Sequence, residues 1–277
     1  MRTALIQMTS GEDPAQNLAT LRENLHEAKA GNADFALSPE VTNCISPSRR
    51  HQRAVLHRQE DDPTLAGARE EAARHGLWVL LGSLALLTED EDGRFANRSF
   101  LIDPEGQIAA QYDKIHMFDV DVSETETYRE STHFRPGNAA ITAKTDFGTL
   151  GLTICYDLRF AYLHRALAQA GADILTVPAA FSPVTGKAHW EALLRARAIE
   201  TGCFVLAPAQ TGVHYEKDGK QRRTYGHSLA VAPWGEVLVD AGTEPGVFFA
   251  DLDLDQIEKA RSRVPALSHD RDFKGPL

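Results

Sequence analysis

Short, nearly all-apolar runs recur along this chain, and the segments between them carry clear helix punctuation. The runs are Ala4–Met8, Phe35–Ser38, Trp78–Leu86, Arg98–Ile102, Leu150–Cys155, Ile174–Pro178, Phe204–Ala207 and Ser228–Ala232. Runs of this kind predict strands covered by helices on one or both faces. Asp13-Pro14 supplies an N-cap followed by proline at the first helical position, and Gly31 stops that helix. Asp62-Pro63 opens a second helix in the same way, and Gly76 closes it. A third is predicted from about Phe160 to Gly171, and a fourth from near Thr185-Gly186 to Gly202. Within the fourth, Glu191 and Arg195 fall at i,i+4 and Arg197 and Glu200 at i,i+3, spacings that allow surface pairs. Strands alternating with helices predict an α/β protein with layered sheets.

One internal similarity sharpens that expectation. The segment Ser99-Phe-Leu-Ile-Asp-Pro-Glu-Gly-Gln-Ile108 resembles Ser228-Leu-Ala-Val-Ala-Pro-Trp-Gly-Glu-Val237. Each is an apolar strand, a Pro-x-Gly turn and a second strand, the signature of a hairpin. Two such hairpins half a chain apart predict two similar halves, although Pro-x-Gly hairpins are common enough to coincide. No Pro-, Gly- or Ser-rich linker interrupts the chain, so residues 1–277 are read as a single domain.

Composition changes the picture mainly by exclusion. Apolar residues make up 43% and charged residues 25% of the 277, an ordinary balance for a soluble globular protein. No stretch reaches the roughly 18 consecutive apolar residues of a membrane span. The apolar-rich stretch near the N-terminus, Ala4–Met8, is too short for a signal-peptide core and reads as a strand, so a cytoplasmic location is expected. The formal net charge of −10 argues against nucleic-acid binding, which needs a basic face. Three widely spaced cysteines suggest no disulfide framework. No CxxC, HxH or HExxH pattern supports a metal site. The GK pair within 212–220 has the wrong spacing for a phosphate loop.

Three polar residues sit where apolar strands are predicted to end, a common place for catalytic groups in α/β sheets. Glu40 follows Phe-Ala-Leu-Ser-Pro, Lys114 follows the first hairpin, and Cys155 ends Gly151-Leu-Thr-Ile-Cys. Each has a bland reading: a buried thiol, a surface lysine and a capping acid. At a strand end before a helix, the Cys155 thiolate would face backbone N–H groups and a positive helix end, which predicts a lowered pKa. Cys44 and Cys203 lack that setting. Amide hydrolysis through a thioester needs a nucleophile, a proton carrier and oxyanion stabilisation, and a cysteine, a carboxylate and an ammonium supply all three. Spacing alone does not bring them together.

The words around these residues resemble the carbon–nitrogen hydrolase (nitrilase) superfamily. They are Ser38-Pro-Glu-Val41, Tyr112-Asp-Lys-Ile-His116 and Gly151-Leu-Thr-Ile-Cys-Tyr-Asp-Leu-Arg-Phe160. The resemblance continues through Val177-Pro-Ala-Ala-Phe181, His189-Trp-Glu191, Tyr225-Gly-His-Ser228 and Pro233-Trp-Gly-Glu236, in family order over essentially the whole chain. It implies a four-layer α-β-β-α sandwich of two similar halves and a homodimer formed through helices. It implies Glu40 as general base, Cys155 as nucleophile and Lys114 as the oxyanion-stabilising cation, with the Tyr156 N–H completing the oxyanion hole. Glu130, in the loop after the lysine, would position Lys114 or a water; its bland reading is a loop-surface acid. No metal or organic cofactor is required.

Within the superfamily, Lys114–Val122 and Pro178–Phe181 look most like the branch that hydrolyses deaminated glutathione to 2-oxoglutarate and cysteinylglycine. Near neighbours are the omega-amidases, which act on 2-oxoglutaramate; nitrilases share the same three residues. A 2-oxo acid carboxylate calls for a fixed cation, ideally a bidentate arginine. Arg159 matches the carboxylate-binding position, and Phe181 and Thr185 match pocket-lining positions. The bland readings are Arg159 as a partner of Asp157 or of a second subunit, and Phe181 as core. The acidic 119–135 loop, with Arg129, His133 and Arg135, is a candidate lid over the pocket. A catalytically silent binding member of the fold is the reading from a different class.

Overall fold

A computed structural model describes residues 1–122, 127–217 and 220–275. The chain begins with β1 (Arg2–Gln7), α1 (Pro14–Ala30), β2 (Phe35–Leu37), α2 (Arg49–Val55), α3 (Pro63–His75), β3 (Trp78–Leu86), β4 (Ala96–Ile102) and β5 (Ile108–Asp113). A small hairpin follows, β6 (Asp119–Asp121) and β7 (Thr127–Arg129). Then come β8 (Ile141–Thr145), β9 (Gly148–Leu152), α4 (Ala161–Gln169), β10 (Ile174–Thr176), α5 (Pro183–Thr201) and β11 (Phe204–Ala207). The last elements are β12 (Thr211–Lys217), β13 (Lys220–Tyr225), β14 (Leu229–Val231), β15 (Val237–Asp240), β16 (Gly246–Asp251) and α6 (Asp255–Arg263).

Two six-stranded sheets repeat one design. Their orders are β16-β1-β2-β3-β4-β5 and β15-β14-β11-β10-β9-β8. In the first, β1, β2 and β3 are parallel and β4 and β5 continue antiparallel. In the second, β9, β10 and β11 are parallel and β14 and β15 continue antiparallel. Each parallel trio carries one antiparallel strand on its other flank, β16 on β1 and β8 on β9. The two Pro-x-Gly hairpins therefore occupy equivalent places in two similar halves. The β12–β13 hairpin stands apart as a two-stranded arm.

Period-two alternation sorts the apolar residues between layers. Ala4, Ile6, Val79, Leu81, Phe100 and Ile102 meet Leu21, Leu25 and Ala28 of α1 and Leu65, Ala68 and Ala72 of α3. Leu5, Phe35, Leu37, Leu80 and Leu101 join instead a cluster with second-sheet residues such as Leu152, Ile174 and Val205. Leu163 and Leu167 of α4 and Trp190 and Leu194 of α5 belong to that same cluster. The result is an α-β-β-α sandwich. Each buried Leu, Ile or Phe contributes roughly 1.5–3 kcal/mol, so a one-residue slip, which turns a whole set to the wrong layer, is strongly disfavoured.

The helix punctuation acts as read. Asp13 and Asp62 cap α1 and α3 by accepting from Ala15 N and Leu65 N, each at 2.9 Å. Gly76 and Gly202 take left-handed φ of 57° and 59° at the ends of α3 and α5. The Glu191–Arg195 and Arg197–Glu200 pairs form at 3.3 and 2.9 Å. Several boundaries move. Helix α5 begins at Pro183, ahead of Thr185-Gly186, because Ser182 caps it. The strand expected to reach Cys155 stops at Leu152, where the backbone leaves the ladder for a turn. The polar α2 and α6 bury only Gln52 and only Ile257 and Ala260, respectively, and so leave little periodic trace in the sequence. Among the described residues no helix is long and apolar enough to cross a membrane.

Candidate active site

Glu40 lies in a tight turn beyond β2 that its own sequence fastens. Ser38 Oγ lies 2.8 Å from Thr42 Oγ1 and accepts from Gly82 N at 3.1 Å, and Thr42 Oγ1 donates to Pro39 O at 2.7 Å. Gly82 is required here, since a Cβ would come within 2.0 Å of Ser38 O. Val41 closes the turn with φ of 47°, unusual for a β-branched residue, and its N–H is held by Ser83 Oγ at 2.8 Å. Lys114 follows β5 directly and is 2% exposed.

Although 74 residues apart in sequence, Lys114 Nζ and Glu40 Oε1 are 2.9 Å apart. Nζ also donates to both Glu130 oxygens, at 2.9 and 2.8 Å. Asn97 Nδ2 donates to Glu40 Oε1 at 2.9 Å and to Glu130 Oε1 at 3.3 Å, and Ala180 N donates to Glu40 Oε2 at 2.9 Å. Two buried carboxylates thus share one ammonium, and their affinities for protons split. Burial pushes the Glu40 carboxyl up, but the Lys114 charge and hydrogen bonds from Lys114, Cys155 and Asn97 outweigh it and hold Glu40 below the ordinary value. For Glu130, burial and the neighbouring Glu40 charge outweigh Lys114, and its pKa is raised. Burial opposes the Lys114 charge, but Glu130 and Glu40 overcome it and hold the ammonium protonated well above its usual range.

Cys155 opens a 3-10 turn, Cys155–Arg159, with φ of 50°, a strained left-handed conformation for a residue with a side chain. Its N–H donates to Pro178 O at 2.9 Å. The first hydrogen bond of the turn runs from Asp157 N to Ile154 O at 3.1 Å, so the Tyr156 N–H has no acceptor inside the turn. The fully buried Asp157 fixes this geometry. One of its oxygens accepts from Tyr112 OH at 2.7 Å and Ile154 N at 2.9 Å, and the other faces His116 N at 3.0 Å and His116 Nδ1 at 2.7 Å. It thereby ties the cysteine turn to the segment on both sides of Lys114.

The lowered thiol pKa expected from the sequence is overturned. Burial and the Glu40 charge raise the Cys155 pKa well above the ordinary thiol value, against the pull of Lys114 and the Ala180 N–H. A five-residue 3-10 turn replaces the expected helix and offers little dipole. The resting pair is a neutral thiol facing an ionised carboxylate.

Glu40, Lys114, Glu130, Cys155, Tyr156, Phe181 and Thr185 all line one cavity of about 560 Å³. Arg159 does not line it. Its guanidinium stands 5.9 and 5.7 Å from the ring centroids of Tyr156 and Phe181, with Nη2 3.3 Å from His189 Nδ1. The pairing of Arg159 with Asp157 is not formed, because Asp157 is fully engaged elsewhere. The 119–135 segment walls the cavity through residues 127–130 and 132–134; positions 123–126 of the expected lid lie outside the described residues. Sequence reasoning missed Asn97, Asp157 and Arg222, another residue of the cavity wall. Asn97 stands beside Arg98 and Ser99 in the polar first part of β4, and only its burial sets it apart. Among the described residues no cluster of three or more His, Cys, Asp or Glu side chains is disposed to hold a metal ion.

The family model for carbon–nitrogen hydrolases matches residues 2–262. This chain belongs to that family. It is 39% identical to the deaminated glutathione amidase of Yersinia enterocolitica over 97% of this chain and 92% of that one. The NitFhit protein of C. elegans superimposes with a TM-score of 0.89 at 35% identity, over 98% of this chain and 65% of that longer one. A variant of the Nesterenkonia sp. AN1 amidase carrying acrylamide on its active-site cysteine aligns at 25% identity with a TM-score of 0.76, over 96% of this chain and 98% of that one. In this carbon–nitrogen hydrolase, the three separated sequence words meet at one cavity.

Proposed function

We propose that this protein is an amidase that hydrolyses deaminated glutathione to 2-oxoglutarate and cysteinylglycine through a thioester on Cys155. The observation that carries the reading is the convergence of Cys155, Glu40 and Lys114 on one cavity floor, with the carboxylate ionised and the thiol protonated. The substrate follows from the relatives of that name, including the human protein, 39% identical over 99% of this chain.

Glu40 takes the thiol proton as Sγ attacks the amide carbonyl, so no free thiolate is needed beforehand. The Lys114 ammonium and the Tyr156 N–H stabilise the tetrahedral oxyanion. Collapse breaks the C–N bond, Glu40 returns the proton to the leaving amine, and cysteinylglycine departs. Glu40 then accepts a proton from water as it attacks the thioester, releasing 2-oxoglutarate and restoring the thiol. Glu130 fixes the Lys114 ammonium throughout, and Phe181 and Thr185 shape the acyl pocket. Arg159, at the edge of that pocket, receives the 2-oxo acid carboxylate.

The reading includes one domain, a homodimer and a cytoplasmic location. Tyr162 of α4 and Val184 and Ile199 of α5 are each more than half exposed, apolar side chains on the outer helices that a second copy would cover. A reducing compartment keeps a nucleophilic thiol free. Intact-mass measurement with a slow amide substrate tests the chemistry: an acyl adduct forms on the wild-type protein and is absent in Cys155→Ala. A side-by-side assay of deaminated glutathione and 2-oxoglutaramate tests the substrate. Preference for 2-oxoglutaramate, with ammonia release, overturns that choice.

A further inference from the structure

We infer that Arg222 is a specificity-determining residue that binds the carboxylate on the leaving-amine side of the substrate. This rests on the reading above and extends it to the half of the substrate that Arg159 does not serve. The substrate so assigned carries two carboxylates, one on the 2-oxo acyl part and one at the glycine end of the departing dipeptide.

The cavity wall contains few cations. Lys114 is held by two glutamates at 2.8–2.9 Å. Arg129 is paired with Asp121 at 2.8 Å, with both side chains more than half exposed. The His133 pKa is lowered by burial and the Arg49 charge, which favours the neutral ring. Arg222 remains, and among the described residues no carboxylate pairs with it.

Its guanidinium is nonetheless fixed. Nη2 donates to Ala180 O at 3.0 Å, Nη1 donates to Tyr128 OH, and the group lies 4.8 Å from the Tyr128 ring centroid. Two of the five guanidinium N–H groups are thereby used, and among the described residues no further partner takes the other three. Ala180, whose carbonyl Arg222 holds, is the residue whose N–H anchors Glu40. A half-buried arginine, oriented in advance beside the reacting groups and paired with no carboxylate among the described residues, suits a bidentate carboxylate. Lys114 is already committed to two glutamates, so an anionic substrate gains from a second cation on the cavity wall. Arg222 lines the cavity from the β12–β13 arm, whereas Arg159 ends the cysteine turn and stands outside the lining beside Tyr156 and Phe181, so the two guanidinium groups are presented by different elements.

The test compares two substrates on the same protein. 2-Oxoglutaramate has the 2-oxo acid carboxylate and releases ammonia, so it lacks the distal carboxylate. Arg222→Leu is expected to lower kcat/KM for deaminated glutathione by about 30-fold more than for 2-oxoglutaramate, the scale of one charge-assisted pair. Arg222→Lys is expected to fall between. An equal loss on both substrates overturns the inference. Should the variant fold poorly, the wild-type protein serves: converting the glycine carboxylate of deaminated glutathione to an amide is expected to cost a similar factor, and no loss there also overturns it. A wild-type protein that does not turn over deaminated glutathione at all fails the proposed function itself, and the inference falls with it.

Discussion

The two halves share strand order, strand direction and helix placement, yet they divide the chemistry unequally. The first half contributes Glu40 beyond β2 and Lys114 beyond β5. At the equivalent strand ends of the second half, beyond β10 and β15, stand Ala179, next to Ala180, and Ala241. The second half contributes Cys155 beyond β9, where the first half has Thr9-Ser10 beyond β1. A duplicated scaffold needs only its apolar alternation repeated. Duplicated chemistry would bury a second ionic set, at several kcal/mol per ion. Ala180 contributes instead through its backbone, one peptide group serving Glu40 and the next holding Arg222. The arm that carries Arg222 lies between β11 and β14, where residues 87–95 link β3 to β4 in the first half.

The unequal division can be broken from either side. Cys155→Ala and Lys114→Met are each expected to lower turnover by roughly 10⁴-fold or more, measured by steady-state kinetics. They differ in stability. Lys114→Met strands two buried carboxylates and is expected to cost about 3–5 kcal/mol, whereas Cys155→Ala removes a neutral thiol and costs little. Urea unfolding reads the difference, and equal stabilities would show that the buried charges are not interdependent.

The second half also carries the buried histidines that resist protonation. His164 and His214 are each lowered from 6.5 to about 4, mainly by burial. The unfolded chain therefore takes up the proton first as pH falls. Their contribution is intact above 6.5 and is lost between 6.5 and 4, by up to about 3 kcal/mol for each residue. Unfolding free energies measured across that window should decline, and His214→Gln should flatten part of the slope. An unchanged slope sinks the assignment.

Asp157→Asn tests the tie between the halves. An amide cannot accept at both positions where the carboxylate does, so about 1–3 kcal/mol of stability and roughly tenfold of kcat are expected to go, with KM little changed. A shift in KM alone contradicts a positioning role. The smallest effect concerns the caps: Asp13→Ala in the first half and Ser182→Ala in the second should each cost about 1 kcal/mol. Thermal melts with only one cap contributing would show that the halves differ in local as well as chemical design.

Much of this molecule is legible in its sequence. The apolar runs mark both sheets, Asp-Pro and Gly mark the ends of α1 and α3, and the paired Pro-x-Gly hairpins reveal the duplication. These signals are local and periodic, so a few neighbouring residues suffice to specify them. The words around Glu40, Lys114 and Cys155 single out residues that meet at one cavity. What the tertiary structure alone decides is how those residues behave. It sets a thiol pKa above its ordinary value rather than below, because burial and Glu40 outweigh Lys114. It engages Asp157 with Tyr112 and His116 instead of Arg159, and it brings Arg222 to the cavity from an arm with no sequence signature. Proton affinity and hydrogen-bond partnership depend on desolvation and on charges that lie tens of residues away in the chain, and only the packed sandwich brings those together.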